Sequence, residues 1–288
     1  MKPPPFEYHR PASVEGAVAL LDDLGDDAKV LAGGQSLVPM MNFRLTSPAH
    51  LVDIGGIAEL RGVRTGGDGL TIGAMTTHRD VERSAVVADT LPVLAEAVRW
   101  VAHPPIRARG TLGGSIAHAD PAAELPALAL LLGATVSAAG PAGPRTIPSS
   151  AFFEGFLTTS LGPGEVVTDV RFPHLPEGAG WGFVEVARRH GDFAMVGAGA
   201  VVSRRADTVA ELRLVVFGVG GTPLRFTEVE EAAAGEPGTD ATWRALAARA
   251  VAGLDPPSDL HGTAAYRRHV AGVLLEQVMG RAYEDARP

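Results

Sequence analysis

Apolar positions near the start of the chain recur at helical spacing once and then fall into short runs. Val14, Ala17, Val18, Leu21 and Leu24 mark one face of a helix that Ser13 caps and Gly25 closes. Lys29-Val30-Leu31 reads as a short buried strand, His50-Leu51-Val52-Asp53-Ile54 as a second and Leu70-Thr71-Ile72-Gly73 as a third. Helix and strands in such close order predict a small α/β unit. Thr77 with Asp80 then opens a short helix, and Leu91, Leu94, Ala95, Val98 and Val101 predict another over 91–102, stopped by His103-Pro104-Pro105. Asp120 as cap and Pro121 in the first turn predict a helix over 121–132, so uniformly apolar that it must be buried, with Gly133 closing it.

A turn-rich break over 141–148 separates this half from a β pattern: strands are predicted over 165–172, 181–187, 194–203 and 212–219. Helices over 227–234, 239–252 and 263–279 finish the chain. Strands followed by helices predict a separate α+β domain, so the expected division is 1–174, with subdomains of about 1–55 and 56–174, and 175–288.

Composition agrees with a folded chain: 288 residues, 46% hydrophobic and 20% charged, carry ample material for two cores. The formal charge is −8 and Lys2 and Lys29 are the only lysines, so there is no basic stripe for a nucleic acid. Any bound phosphate must rely on backbone N–H groups, arginine or helix N-termini. Without cysteine the chain holds no disulfide, no thiolate nucleophile and no cysteine-ligated iron–sulfur cluster. The longest nearly unbroken apolar stretch, 125–139, is too short to span a bilayer, and a cytoplasmic protein is the default expectation.

The candidate chemistry centres on two glycine signatures, Ala32-Gly33-Gly34-Gln35-Ser36 and Thr111-Leu112-Gly113-Gly114-Ser115. Each sets two residues without a Cβ beside a small hydroxyl, which lets backbone N–H groups approach an anion. Neither lies in a GxSxG nucleophile elbow. His118, Asp120 and Glu124 offer three metal-ligand types within seven positions, but a second histidine at ligand spacing is missing, and they read better as a polar wall beside a cofactor. Arg107 and Arg109 read equally as phosphate neighbours or surface charges. The turn Arg188-Arg189-His190-Gly191-Asp192-Phe193 reads either as a solvated hairpin tip or as a reach toward a cofactor, with Phe193 on a planar ring and Asp192 on its polar edge.

With these segments laid out, the chain resembles the FAD-binding medium subunits of molybdenum hydroxylases, the family of carbon monoxide dehydrogenase and xanthine dehydrogenase. The resemblance rests on Ala32 to Asn42, on Ile72-Gly73-Ala74-Met75-Thr76-Thr77-His78, on Ile106-Arg107 with Gly110 to Glu124, on Phe152-Phe153-Glu154-Gly155 and on Ala187 to Ala194. It implies an α+β fold: a vanillyl-alcohol-oxidase-type FAD-binding domain of two α/β subdomains, then a domain with a three-stranded antiparallel sheet and a helical bundle. It also implies non-covalent FAD with its pyrophosphate between the two signatures. By position, Lys29, Val30, Leu31, Ala32, Gly33, Gly34, Gln35, Ser36, Leu37, Val101, Gly110, Thr111, Leu112, Gly113, Gly114, Ser115, His118, Asp120, Glu124, Leu161, Val184, Asp192 and Phe193 would line the cofactor. Ser115 replaces the asparagine of many relatives, and Phe193 the tyrosine of carbon monoxide dehydrogenase. The implied partners are a large molybdopterin subunit and a small [2Fe–2S] subunit in a dimer of heterotrimers, with no classical catalytic acid or base on this chain. Two alternatives are a self-sufficient flavin oxidoreductase and an assembly module without FAD.

Overall fold

A computed structural model describes residues 2–287. Its first sheet is parallel and three-stranded: β1 (Glu7–His9), β2 (Ala28–Leu31) and β3 (His50–Asp53) lie in the order β1-β3-β2. Between them run α1 (Val14–Leu24), capped as expected by the Ser13 hydroxyl on the Gly16 N–H, and α2 (Leu37–Asn42). A small core under this sheet gathers Ala17, Leu21, Val52, Ile54 and Leu60.

The second sheet comprises β4 (Val63–Gly66), β5 (Gly69–Gly73), β6 (Thr135–Gly140), β7 (Gly143–Pro148) and β10 (Val166–Phe172), in the order β4-β5-β10-β6-β7. The predicted break at 141–148 is corrected: β6 and β7 form a hairpin, and β7 tolerates Pro144 and Pro148 because it is an edge strand. Short helices cover the sheet: α3 (His78–Arg83), α4 (Ala85–Thr90), α5 (Pro92–Ala97), α6 (Pro104–Arg107), α7 (Leu112–His118) and α8 (Glu124–Leu131). A small hairpin, β8 (Phe153–Gly155) with β9 (Thr158–Thr159), follows them.

Two predicted helices are shorter than their periodicity. The helix predicted over 91–102 ends at Ala97, because the buried Arg107 guanidinium collects the carbonyls of Arg99, Val101 and Ala102 at 3.4, 3.0 and 3.1 Å. The helix predicted from Pro121 begins at Glu124 instead; Asp120 turns its carboxylate onto the Ala122 N–H at 2.9 Å, while the Pro121 carbonyl accepts from Gly218. That helix is buried on every side, as its composition requires. Each of its fully buried leucines, Leu125, Leu128 and Leu131, contributes about 1.5–3 kcal/mol relative to exposure.

The remaining residues form an antiparallel sheet of three long strands, β11 (Gly180–Val186), β12 (Val196–Arg205) and β13 (Thr208–Phe217), with a two-residue fourth, β14 (Leu224–Arg225), at its edge. Alternation along β11 sends Phe183 and Glu185 to the face shared with α8, while Val184 and Val186 face α9 (Thr227–Ala233), α10 (Asp240–Ala252) and α11 (Ala264–Asp285). One core therefore continues from the five-stranded sheet across α8 to β11–β13, with the Phe183 and Phe217 rings stacked at 5.6 Å. A second core fills the space under the three final helices.

Candidate functional site

Strand β2 ends at Leu31 and releases the first glycine signature into a bend and turn before α2. The second signature is not a free loop. Thr111 caps α7, its hydroxyl accepting from Gly114 at 3.1 Å, so Gly113 and Gly114 occupy the first helical turn. The two signatures touch: a Cβ on Gly33 would overlap the Arg109 carbonyl oxygen and lie 2.8 Å from the Gly110 Cα. Gly113 is pressed as tightly on Ala74, where a Cβ would lie 2.7 Å from its Cα and 2.9 Å from its carbonyl oxygen.

Between these segments opens a cavity of about 620 Å³, within the size range of cofactor sites. Lys29, Val30, Ala32, Gly33, Gly34, Gln35, Ser36 and Leu37 line one wall; Gly110, Thr111, Gly113, Gly114, Ser115, His118, Asp120 and Glu124 line another. Val101 and Leu161 close its sides, and Gly191, Asp192 and Phe193 reach it from the β11–β12 turn. That turn is therefore no free hairpin tip: Gly191 seats against the His103 ring, and His190 stacks on Trp100 at 5.7 Å.

Three predicted residues lie elsewhere. Leu112 is fully buried in the main core, and Leu31 packs beneath Gly34. Val184 is on the far face of β11, in the core under the helices, because strand alternation turns it from the face that its neighbours Phe183 and Glu185 share with α8. Arg107 is neither a phosphate neighbour nor a surface charge: it is buried and paired with Glu82 at 2.9 Å. His78 was missed as a site residue. Its N–H is fixed by the Gly110 carbonyl and its ring Nε2–H donates to the Thr111 carbonyl at 2.9 Å, so its side chain joins the cavity wall. That placement depends on pairing across 33 residues, which no local pattern carries.

Hydrogen bonding separates the two signatures. The N–H groups of Leu112, Gly113, Gly114 and Ser115 are spent on Thr76 O, Ala74 O, Thr111 Oγ1 and Thr111 O, at 3.0, 2.9, 3.1 and 3.0 Å. Those of Gly33, Gly34, Gln35 and Ser36 have no protein acceptor among the described residues. The expectation that residues 111–115 supply backbone donors is thus corrected for 112–115, which form a wall; the Thr111 N–H, like those at 33–36, has no protein acceptor among the described residues. Lys29 is the lone lysine or arginine among the lining residues.

Electrostatics on the opposite wall follow from burial. Desolvation lowers His78 to about 4, against the Thr111 carbonyl that favours its proton, so the ring is neutral and its buried Nδ1 is an unpaired acceptor. Burial raises Glu124 to about 7, with Asp120 adding to the rise. Burial raises Glu185, behind that wall, to about 8, and the Glu124 carboxyl adds to it. Glu185 therefore keeps its proton at neutral pH, where Glu124 is near its midpoint.

Residues 4–175 match the model of the FAD-binding domain in molybdopterin dehydrogenase, and residues 181–282 that of the CO dehydrogenase flavoprotein C-terminal domain. This chain belongs to the FAD-binding medium subunits of the molybdenum hydroxylases. The medium subunit is 43% identical over 289 residues to the 6-hydroxypseudooxynicotine dehydrogenase complex subunit alpha of Paenarthrobacter nicotinovorans, covering 100% of this chain and 98% of that one. Its fold matches that of carbon monoxide dehydrogenase from Hydrogenophaga pseudoflava with a TM-score of 0.98, 42% identity and full coverage of both chains. Quinoline 2-oxidoreductase from Pseudomonas putida 86 matches with a TM-score of 0.94 and 37% identity over 99% of each chain.

The residues present fit FAD. Four free backbone donors beside a lysine suit a diphosphate, each charge-assisted bond being worth about 1.5–3 kcal/mol. The unpaired His78 Nδ1 suits a hydroxyl donor. No helix among the described residues is long and apolar enough to cross a membrane.

Proposed function

We propose that this medium subunit conducts electrons from the [2Fe–2S] clusters of a small partner subunit to an external acceptor, for a substrate oxidised in a large molybdopterin subunit. Bound FAD supplies the exchange between one-electron carriers and a two-electron acceptor. The 33–36 donors and Lys29 would hold its diphosphate, with Gly33, Gly34, Gln35, Ser36 and Lys29 all on the cavity wall. The β11–β12 turn, with Asp192 and Phe193, would close the cavity at the end where the second domain arrives. Phe193 is 63% exposed and therefore stands where an acceptor can approach.

The observation that carries this reading is the joining of a donor-lined cavity to a chain without cysteine. An electron carrier built on iron and sulfur then lies outside these 288 residues. The relatives' names span carbon monoxide dehydrogenase, quinoline 2-oxidoreductase and a dehydrogenase complex for a nicotine derivative on one common scaffold, which supports placing substrate choice outside this subunit.

The test is anaerobic. The FAD-loaded chain alone keeps its flavin absorbance when mixed with aldehyde and N-heterocyclic substrates, and loses it only when reduced iron–sulfur and molybdopterin partners are added. Bleaching of the lone chain by any of these substrates makes it a self-sufficient oxidoreductase and overturns the proposal. Failure to take up FAD at all leaves an assembly module and overturns it as well.

A further inference from the structure

Outside the cavity lining, on the first sheet, Glu7, His9 and His50 bring three ligand atoms together. His118, Asp120 and Glu124, weighed from sequence as ligands, do not form such a group among the described residues. The strands set the geometry. Glu7 and His9 are two residues apart on β1 and share a face, and parallel register places His50 of β3 opposite Glu7. Tyr8 points the other way and donates its hydroxyl to Asp53.

His9 Nε2 and His50 Nδ1 are 3.1 Å apart, and Glu7 Oε2 lies 3.4 Å from His50 Nδ1 and 4.0 Å from His9 Nε2. Ligands at 2.0–2.1 Å from a tetrahedral zinc are about 3.3 Å from one another, so two of the three edges are already at the required length. The third closes by rotation of the Glu7 side chain, which is 74% exposed and free to move. The two imidazoles are largely shielded, at 26% and 21%, so the less mobile ligands are held by the sheet and the exposed one completes the set.

We propose that Glu7, His9 and His50 form a site for a divalent transition-metal ion of the zinc class, with water as fourth ligand. Two imidazoles and one carboxylate are a borderline donor set that favours zinc over magnesium or calcium, which take all-oxygen shells. The ion clips β1, a three-residue edge strand, to the central strand β3 of the sheet whose other edge, β2, leads into the 33–36 segment. It plays no part in electron transfer.

The test uses the full FAD-loaded chain in a non-chelating buffer. Calorimetric titration with ZnCl₂ gives one saturable site, and Co²⁺ in its place gives the intense visible bands of tetrahedral coordination. His50→Ala and His9→Gln each weaken Zn²⁺ at least tenfold, Glu7→Gln weakens it less, and His261→Ala, at an exposed histidine elsewhere, leaves it unchanged. Retained flavin absorbance and an unchanged metal-free melting temperature establish that each variant is folded; should His50→Ala fail this check, His9→Gln and Glu7→Gln decide. No saturable binding, a weak octahedral Co²⁺ spectrum, or Zn²⁺ affinity indifferent to the folded variants overturns the site.

Discussion

Replacing Gly33 with alanine tests whether the contact between the two glycine signatures sets FAD affinity. The added Cβ would stand 2.8 Å from the Gly110 Cα and overlap the Arg109 carbonyl oxygen, so it meets backbone on both counts rather than a side chain that can swing away. Relief to an ordinary contact of about 3.4 Å parts the segments by at least about 0.6 Å, a strain of the overpacking kind worth ~1–3 kcal/mol. The same movement displaces the free 33–36 donors; losing one charge-assisted bond of ~1.5–3 kcal/mol raises the FAD Kd by about ten- to one-hundred-fold. Titration of the FAD-free chain, followed by flavin fluorescence, reads the affinity, and circular dichroism with a thermal melt reads the fold. Gly16→Ala is the control: its Cβ would meet only ordinary contacts at 3.5 Å inside α1, and it stabilises by about 0.5–1 kcal/mol without touching FAD. Gly33→Ala binding FAD within threefold of the parent and melting at the same temperature would refute the reasoning.

Glu185→Gln removes a buried acid whose value is held near 8 against 4.5 when unfolded. The folded state keeps a proton that the unfolded state releases, so stability falls as pH rises from about 4.5 to 8 and levels above it. The substitution therefore raises the free energy of urea unfolding more at pH 9 than at pH 5, by a few kcal/mol at about 1.36 per unit, with a residual slope up to about 7 from Glu124. Equal effects at the two pH values count against it. Arg107→Met leaves Glu82 and three carbonyls without their partner, and costs ~3–5 kcal/mol in urea unfolding. His78→Phe removes one of the two donors to the Thr111 carbonyl, which keeps the Ser115 N–H, costs about 0.5–1.5 kcal/mol in the same assay and weakens FAD; because His78 is already neutral above about 4, the parent's FAD affinity shows no step from this residue between pH 5 and 8.

Local signals were legible where the physics is local. The Ser13 cap, the end of β2 at the first glycine signature, and the burial of the apolar run now seen as α8 all depend on residues within one turn or one strand. The reading failed where a distant partner overrides local preference. Pro144 and Pro148 argue for a break, yet an edge position makes a strand of them. Gly113-Gly114 argues against helix, yet only glycine admits α7 against Ala74. Asp120 has the chemistry of a helix cap, but caps a turn three residues early.

By itself the sequence determined that two short glycine segments, the missing cysteines and the collinear motifs belong to an FAD-carrying subunit, because composition and motif chemistry do not depend on how the chain closes. Only the tertiary structure decided how the segments divide the work. Gly33 and Gly113 are small for packing, the open donors lie at 33–36, and those at 112–115 are spent within the protein. The reason is that every buried N–H needs an acceptor, and which acceptors arrive is set by Ala74 and Thr76, residues more than 35 positions away.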